Sequence, residues 1–213
     1  MSIKPILFNT EMVRAILEGR KSCTRRIVKH DVEAILNSPY HKKHPEVADK
    51  QIVSKLCTPP YQPGDVLYVR ETFAWCPCWD CGMHPEQGAC TDPNRIYHSG
   101  KKEYGCYIYR ASCEDNEYPS ADTWHPSIHM PKEAARIWLK VTDVRVQRLQ
   151  EMWASDASKE GLQFNKPTTA DEMLQAFAEL WNSTIKKSDL DRHGWDASPW
   201  IWVIEFERCE KPE

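Results

Sequence analysis

A chain of 213 residues is long enough for one well-filled core and a small insertion. Hydrophobic residues make up 41% and charged residues 28%, the balance of a globular protein, and a net charge of −3 excludes a basic nucleic-acid coat. No apolar run approaches a membrane span and no apolar signal segment follows Met1, so we expect no membrane partner and a cytoplasmic location.

Residues 3–8 (IKPILF) read as an opening strand. Thr10 is placed to cap a helix that runs to about Leu17, with Met12, Val13, Ile16 and Leu17 on one face and Gly19 as its stop. The octet GRKSCTRR, residues 19–26, begins where this helix ends and reads as a turn with exposed backbone. Residues 30–60 are polar and irregular, the pattern of a surface excursion. Pro63-Gly64-Asp65 turns the chain into a strand over Val66–Phe73. A cysteine-rich insertion follows at about 75–113, interrupted by a strand at Tyr107–Arg110. Pro126 and Pro131 stiffen the loop WHPSIHMP at 124–131.

Ala135–Leu149 is rich in β-branched residues and reads as a strand. Ser155–Glu160 is a short helix ended by Gly161. Asp171–Ser183 is a stronger helix, its apolar stripe formed by Met173, Leu174, Phe177, Leu180 and Trp181. Trp200–Arg208 is the last strand. This order predicts an α+β fold in a single domain over 1–213: a curved antiparallel sheet or small barrel with flanking helices.

Four cations, two hydroxyls and a thiol share the octet, and with Arg14 and Lys29 they make a local basic patch. Most such runs are solvated faces or phosphate contacts; the sharper alternative is a catalytic turn in which Lys21 activates Thr24. Arg70 and Glu71 are neighbours on a strand, so only one faces a given pocket, and a buried ion pair explains them equally well. Ser127 and His129 either hydrogen-bond a base or ribose or pin their proline-stiffened loop. Trp75, Trp124 and Trp200 are candidates for stacking on a base, though a single tryptophan is more often core.

Nine cysteines without an export signal read as thiols or metal ligands rather than disulfides. Cys76, Cys78, Cys81 and Cys90 place four thiols within fifteen residues, and Cys78-x-x-Cys81 has the spacing of a tetrahedral zinc knuckle. We expect a structural zinc there and no organic cofactor, with Cys106, Cys113, His84 and His98 as alternative fourth ligands.

The Gly19-Arg20-Lys21-x-x-Thr24-x-Arg26 pattern resembles the signature of ASCH domains, which are relatives of the PUA barrel. Pro63 to Leu67, Glu160-Gly161 and the closing Val203 to Phe206 fit the same pattern. With Val69 to Thr72, the cysteine-rich insertion and Pro126 to Pro131, most of the chain is similar to the ASCH proteins of phages and prophages. Ser22-Cys23 departs from the family, which often has a threonine and another residue there.

The resemblance implies an RNA-associated domain. One bacterial branch hydrolyses N4-acetylcytidine to cytidine and acetate, with a lysine as proton acceptor, a threonine as nucleophile and a glutamate as proton donor; Lys21, Thr24 and Glu160 match these positions. It implies as partner a modified nucleoside or RNA; as the residues that contact it we expect, from the candidates above, Arg20, Arg25, Arg26, Arg70, Glu71, Ser127, His129 and Trp200. The alternatives are a binding module that grips RNA or a modified base without turning it over, and a ribonuclease.

Amide hydrolysis needs a nucleophile, a base and an acid for the leaving amine. An ordinary lysine is neutral only about once in 2,500 molecules at pH 7. We expect two causes to lower the Lys21 pKa: the like charges of Arg20, Arg25 and Arg26, one such charge at about 6 Å contributing roughly 3 kcal/mol at an effective dielectric of about 20, and partial burial under a tryptophan wall, with an ionised Glu160 opposing both.

Overall fold

The computed structural model describes residues 2–78, 96–101, 103–113, 123–164, 166 and 168–212. Their eight strands are β1 (Ile3–Leu7), β2 (Cys23–Ile27), β3 (Val66–Arg70), β4 (Phe73–Pro77), β5 (Ile96–His98), β6 (Glu103–Tyr109), β7 (Trp138–Arg148) and β8 (Trp200–Cys209). They form a five-stranded sheet in the order β1-β3-β7-β8-β2 and a three-stranded sheet in the order β4-β6-β5. With seven helices among the described residues, this is the expected α+β class, and among those residues neither sheet closes on itself. No helix among them is long and apolar enough to cross a membrane.

The chain divides into two compact units. The first comprises Met1–Lys4, Ala15–Leu67 and Trp138–Glu213. Its centre is the antiparallel ladder of β7 and β8, which runs from Trp138 opposite Cys209 to Arg148 opposite Trp200 and carries one irregularity between Val141 and Asp143. Trp200 to Ile204 are all buried, as expected for a central strand whose two faces are both covered. Ile201 and Val203 pack with Cys23, Leu149, Met152 and Ala157 against Phe177 and Trp181.

Phe177 and Trp181 belong to the long helix Ala170–Thr184. Thr169 caps that helix by accepting the Glu172 N–H, while the Glu172 carboxylate reaches back to the Thr169 N–H. Met173 and Leu174 lie against the same core, so the apolar stripe seen in the sequence is the packed face.

Residues 30–60 are more regular than their polarity indicates. They hold α2 (Val32–Leu36), α3 (Pro39–Lys43) and α4 (Asp49–Leu56), the first two capped by Asp31 and Ser38. Each is one or two turns long and buries at most two side chains, Ile52 and Val53 in α4, so no amphipathic period has room to develop. The first helix, α1 (Thr10–Leu17), is where the apolar spacing put it. Its first-turn donor is satisfied by Asn9, whose Oδ1 accepts the Met12 N–H at 2.9 Å, and not by Thr10. Later in the unit come α5 (Ser155–Lys159), the long helix as α6, and a short α7 (Leu190–His193) that the sequence reading did not include.

The second unit comprises Pro5–Arg14 and Tyr68–Ile137. The strand expected over Val66–Phe73 is two strands in different sheets, because the Phe73 N–H and C=O pair with His125 instead of continuing β3. β4 pairs β6 antiparallel from Phe73 opposite Tyr109 to Pro77 opposite Gly105. The strand expected at Tyr107–Arg110 therefore begins earlier, at Glu103. Ala74, Ile108 and Cys113 form a small core with Cys76, Cys106 and Trp124 around them. Ser127–His129 and Lys132–Ala134 are short 3-10 turns set off by Pro126 and Pro131.

Candidate active site

The octet is not the exposed turn its charge suggests. The Arg20 and Lys21 N–H groups donate to the Ala15 carbonyl at 2.8 and 3.0 Å, closing the end of α1. Ser22 N–H donates to the Lys159 carbonyl, Phe206 N–H donates to the Ser22 carbonyl, and from Cys23 the chain is β2, paired along its length with β8. Lys21, Thr24 and Arg25 are 4%, 2% and 3% exposed.

Opposite Lys21 stands Glu160, the residue that ends α5. Gly161 follows with φ +98, and a Cβ there would lie 2.7 Å from the Ala15 Cβ and 3.2 Å from the Lys21 Cβ. A glycine is what allows the turn after α5 to approach Lys21 this closely.

Four side chains then interlock. Lys21 Nζ donates to Glu160 Oε2 at 2.6 Å and to the Glu160 carbonyl at 2.9 Å. Arg25 donates to Glu160 Oε1 and to Asp156 Oδ2, each at 2.9 Å, and its guanidinium lies 5.5 Å from the Phe177 ring centre. Asp156 and Glu160 are four residues apart, which turns both carboxylates to the same side of the chain. Asp156 is absent from the site read in the sequence, although this i,i+4 spacing signals it.

Burial is the main cause that lowers the Lys21 pKa; Glu160 works against it through charge and hydrogen bond, and Arg26 adds to the lowering. Burial and the opposition of Glu160 are as expected, but burial outweighs the like charges, and of the three arginines Arg26 contributes. Arg25 is neutralised by its two carboxylates, and Arg20 pairs with Glu18 at 2.6 Å and donates to the Gly161 carbonyl. Cys23, with Sγ 3.9 Å from Glu160 Oε1, has its thiol pushed up to about 12 by burial first and by the Glu160 charge next, which makes it a poor nucleophile.

Thr24 lies elsewhere. In β2 the register sets Cys23 and Arg25 opposite Glu205 and Val203, and Thr24 and Arg26 opposite Ile204 and Trp202. Side chains alternate along a strand, so Thr24 and Arg26 share the face opposite to the one on which Cys23 and Arg25 reach Glu160. There Thr24 Oγ1 accepts a hydrogen bond from the Arg26 guanidinium at 2.6 Å. Trp200 shares this face with Trp202, and the Arg148 guanidinium lies 4.6 Å from its ring centre. Trp200 Nε1 is buried and has no hydrogen-bond partner among the described residues.

Arg70, Glu71, Ser127 and His129 belong to the second unit. Glu71 is 1% exposed and takes two hydrogen bonds from Arg136, each at 2.9 Å, the buried ion pair weighed for it, though with a partner 65 residues away. Arg70 donates to the Ile128 carbonyl and so ties down the turn that carries Ser127 and His129. Of the four expected zinc ligands, Cys76 lies in β4 opposite Cys106, Cys78 follows the end of that strand, and Cys81 and Cys90 lie outside the described residues, as does His84. Among the described residues no group of three or more His, Cys, Asp or Glu is arranged to hold a metal ion.

No family model matches the sequence, and no curated protein matches it. Among solved structures the chain is similar to the ASCH domain from Lactobacillus crispatus JV V101, at 11% identity and a TM-score of 0.37, over 97% of this chain and 79% of that one. A likeness of that size assigns no activity, and function rests on the side chains themselves.

Proposed function

We propose that this chain is an amidohydrolase that removes the acyl group from a modified nucleoside such as N4-acetylcytidine, with Lys21 as base, Thr24 as nucleophile and Glu160 as acid. The supporting observation is the buried Lys21–Glu160 contact of 2.6 Å. Moving one proton from Nζ to Oε2 turns that ion pair into an amine and a carboxylic acid, the two forms the reaction needs. Burial disfavours the Lys21 charge and so favours the exchange, while the Arg25 guanidinium on Oε1 opposes it.

Thr24 Oγ1 bonds to the acyl carbon as its proton passes, by way of a water molecule around the start of β2, to Lys21, and the Arg26 N–H donor stabilises the oxygen as it loses that proton. Glu160 protonates the cytosine N4 as the C–N bond breaks and cytidine leaves. Water then cleaves the acyl-threonine ester, giving acetate and returning the protons to Thr24 and Glu160. The placement of Thr24 across the strand from Arg25 requires the substrate to reach Lys21 and Thr24 around the start of β2.

That placement also favours a second reading. Arg26 and Arg148, both partly exposed on that face, suit a module that grips RNA or a modified base without turning it over.

Acetate release from N4-acetylcytidine separates the readings. Lys21→Ala, Thr24→Ala and Glu160→Ala are each expected to lose about 100-fold or more. Turnover that survives Thr24→Ala removes the nucleophile assignment. No turnover, with RNA binding lost in Arg26→Ala, selects the binding module, and RNA strand cleavage that survives Thr24→Ala selects a ribonuclease.

A structural zinc held by Cys76, Cys78, Cys81 and Cys90 belongs to the same proposal, since thiolates at knuckle spacing suit that metal. Purified chain should carry about one equivalent of zinc. Metal-free protein with unchanged unfolding contradicts it.

A further inference from the structure

The second unit holds a pocket of about 280 Å³ whose described lining residues all belong to that unit. Phe73 and Trp75 of β4 and Tyr107 of β6 form its aromatic floor. Their rings meet edge to face, Trp75 with Tyr107 at 5.3 Å and Phe73 with Tyr107 at 5.9 Å.

The indole is fixed from two sides. Its Nε1–H donates to Glu103 Oε1 at 2.7 Å. Gly105 opposite leaves it room, since a Cβ there would fall 2.6 Å from the indole and 2.4 Å from the Cys76 carbonyl. The Glu103 carboxylate is thereby committed to the tryptophan and does not line the pocket.

Beside Pro131 the other described lining is nitrogenous: His98, Lys101, His125 and His129, with no carboxylate among the described lining residues. His98 Nδ1 accepts the Lys101 backbone N–H at 3.2 Å, which leaves Nε2–H as a donor. The backbone of His125 is pinned to Phe73 by two hydrogen bonds of 3.2 and 2.7 Å, and His129 sits in the turn that closes on the Pro126 carbonyl at 3.0 Å. The imidazoles do not form a metal cluster.

We infer that this pocket binds a single nucleotide, the base on the Phe73, Trp75 and Tyr107 floor and the phosphate toward Lys101 and the histidines. The volume lies just below the range of about 300–1,000 Å³ usual for small-molecule sites, which suits one nucleotide. A π floor accepts any base, and clustered N–H donors beside an ammonium are phosphate chemistry. The inference does not depend on the roles of Lys21, Thr24 and Glu160.

The test is NMR of the histidine ring resonances in the full chain, titrated with cytidine 5′-monophosphate, cytidine or inorganic phosphate. Saturable shifts of His98, His125 and His129 are expected with the nucleotide, at roughly tenfold lower concentration than with cytidine or phosphate, because base and phosphate are bound together. Lys101→Glu and His129→Ala change exposed side chains outside the core and should each weaken binding about fivefold or more. The shifts should persist in Lys21→Ala, where any occupancy of the first-unit site is impaired. Absence of saturable shifts, equal affinity in both pocket variants, or loss of the shifts in Lys21→Ala overturns the inference.

Discussion

Arg25→Met removes the cation that joins two buried carboxylates while keeping an apolar side chain over Phe177. Arg25 is 3% exposed, and its guanidinium gives one 2.9 Å hydrogen bond to Glu160 and one to Asp156. Each charge-assisted bond contributes about 1.5–3 kcal/mol, and breaking a buried pair from one side costs about 3–5 kcal/mol. Glu160 retains Lys21, and Asp156 retains the half-exposed Lys159 at 3.3 Å, which offsets at most about 1 kcal/mol. The expected loss is therefore about 3–4 kcal/mol, or roughly 1.5–2 M in urea midpoint for a slope near 2 kcal/mol/M. Urea unfolding followed by tryptophan fluorescence measures it, with Arg14→Met as the control because its pair with Glu11 is exposed. Should Arg25→Met lose less than about 1 kcal/mol, like the control, the network does not hold β2 to α5 as described.

Three further substitutions probe other parts of the fold. Gly161→Ala puts a Cβ 2.7 Å from Ala15 at a φ of +98, so backbone strain alone should cost about 1–3 kcal/mol and lower the melting temperature by several degrees; an unchanged melting curve contradicts the close approach. Burial raises the Asp65 pKa, but hydrogen bonds from Lys4, Ser2 and the Gln62 N–H outweigh it and hold the carboxyl well below the usual range. Its contribution is then complete above about pH 4 and is lost as pH falls through the depressed folded value. Wild type should accordingly lose more stability than Asp65→Asn on acidification below about pH 4, and parallel curves would refute this. Thr169→Ala removes the cap of α6 and should cost about 1 kcal/mol in urea unfolding with acetate release unaltered; a change in turnover would tie that helix to the chemistry.

The parts of the fold that bury a wide face were legible in the sequence. β7 and β8 announce themselves through β-branched and aromatic residues over ten or more positions, and α6 through an apolar stripe three turns long. The helices α2 to α4 escaped because each buries too few side chains to imprint a period on a polar stretch. Phe73 continues the alternation of β3, and only its pairing with His125, some fifty residues on, moves it into the other sheet.

At the candidate site the spacing of Lys21 and Thr24 singled out the octet, and the pairing of Lys21 with Glu160 followed the same pattern. The burial of the segment did not follow, because a basic run reads as solvated until its counterions are known. Asp156 and Glu160 stand more than a hundred residues away and reach Arg25 only through the fold. The split between Thr24 and Arg25 depends on Cys23 opening a strand, which the expected turn concealed.

Burial makes the Lys21 ammonium more acidic than an ordinary lysine. NMR of the lysine side chains in the full chain, with Lys21 assigned by its absence in Lys21→Arg, follows that titration directly. The expected midpoint lies below the ordinary value of 10.5 and moves upward in Arg26→Gln, because the Arg26 charge contributes to the lowering. Stability should also rise with pH between that midpoint and about 10.4, where the unfolded chain holds a proton the folded one has released. A Lys21 that titrates at or above 10.5 would leave Thr24 without a base and contradict the account.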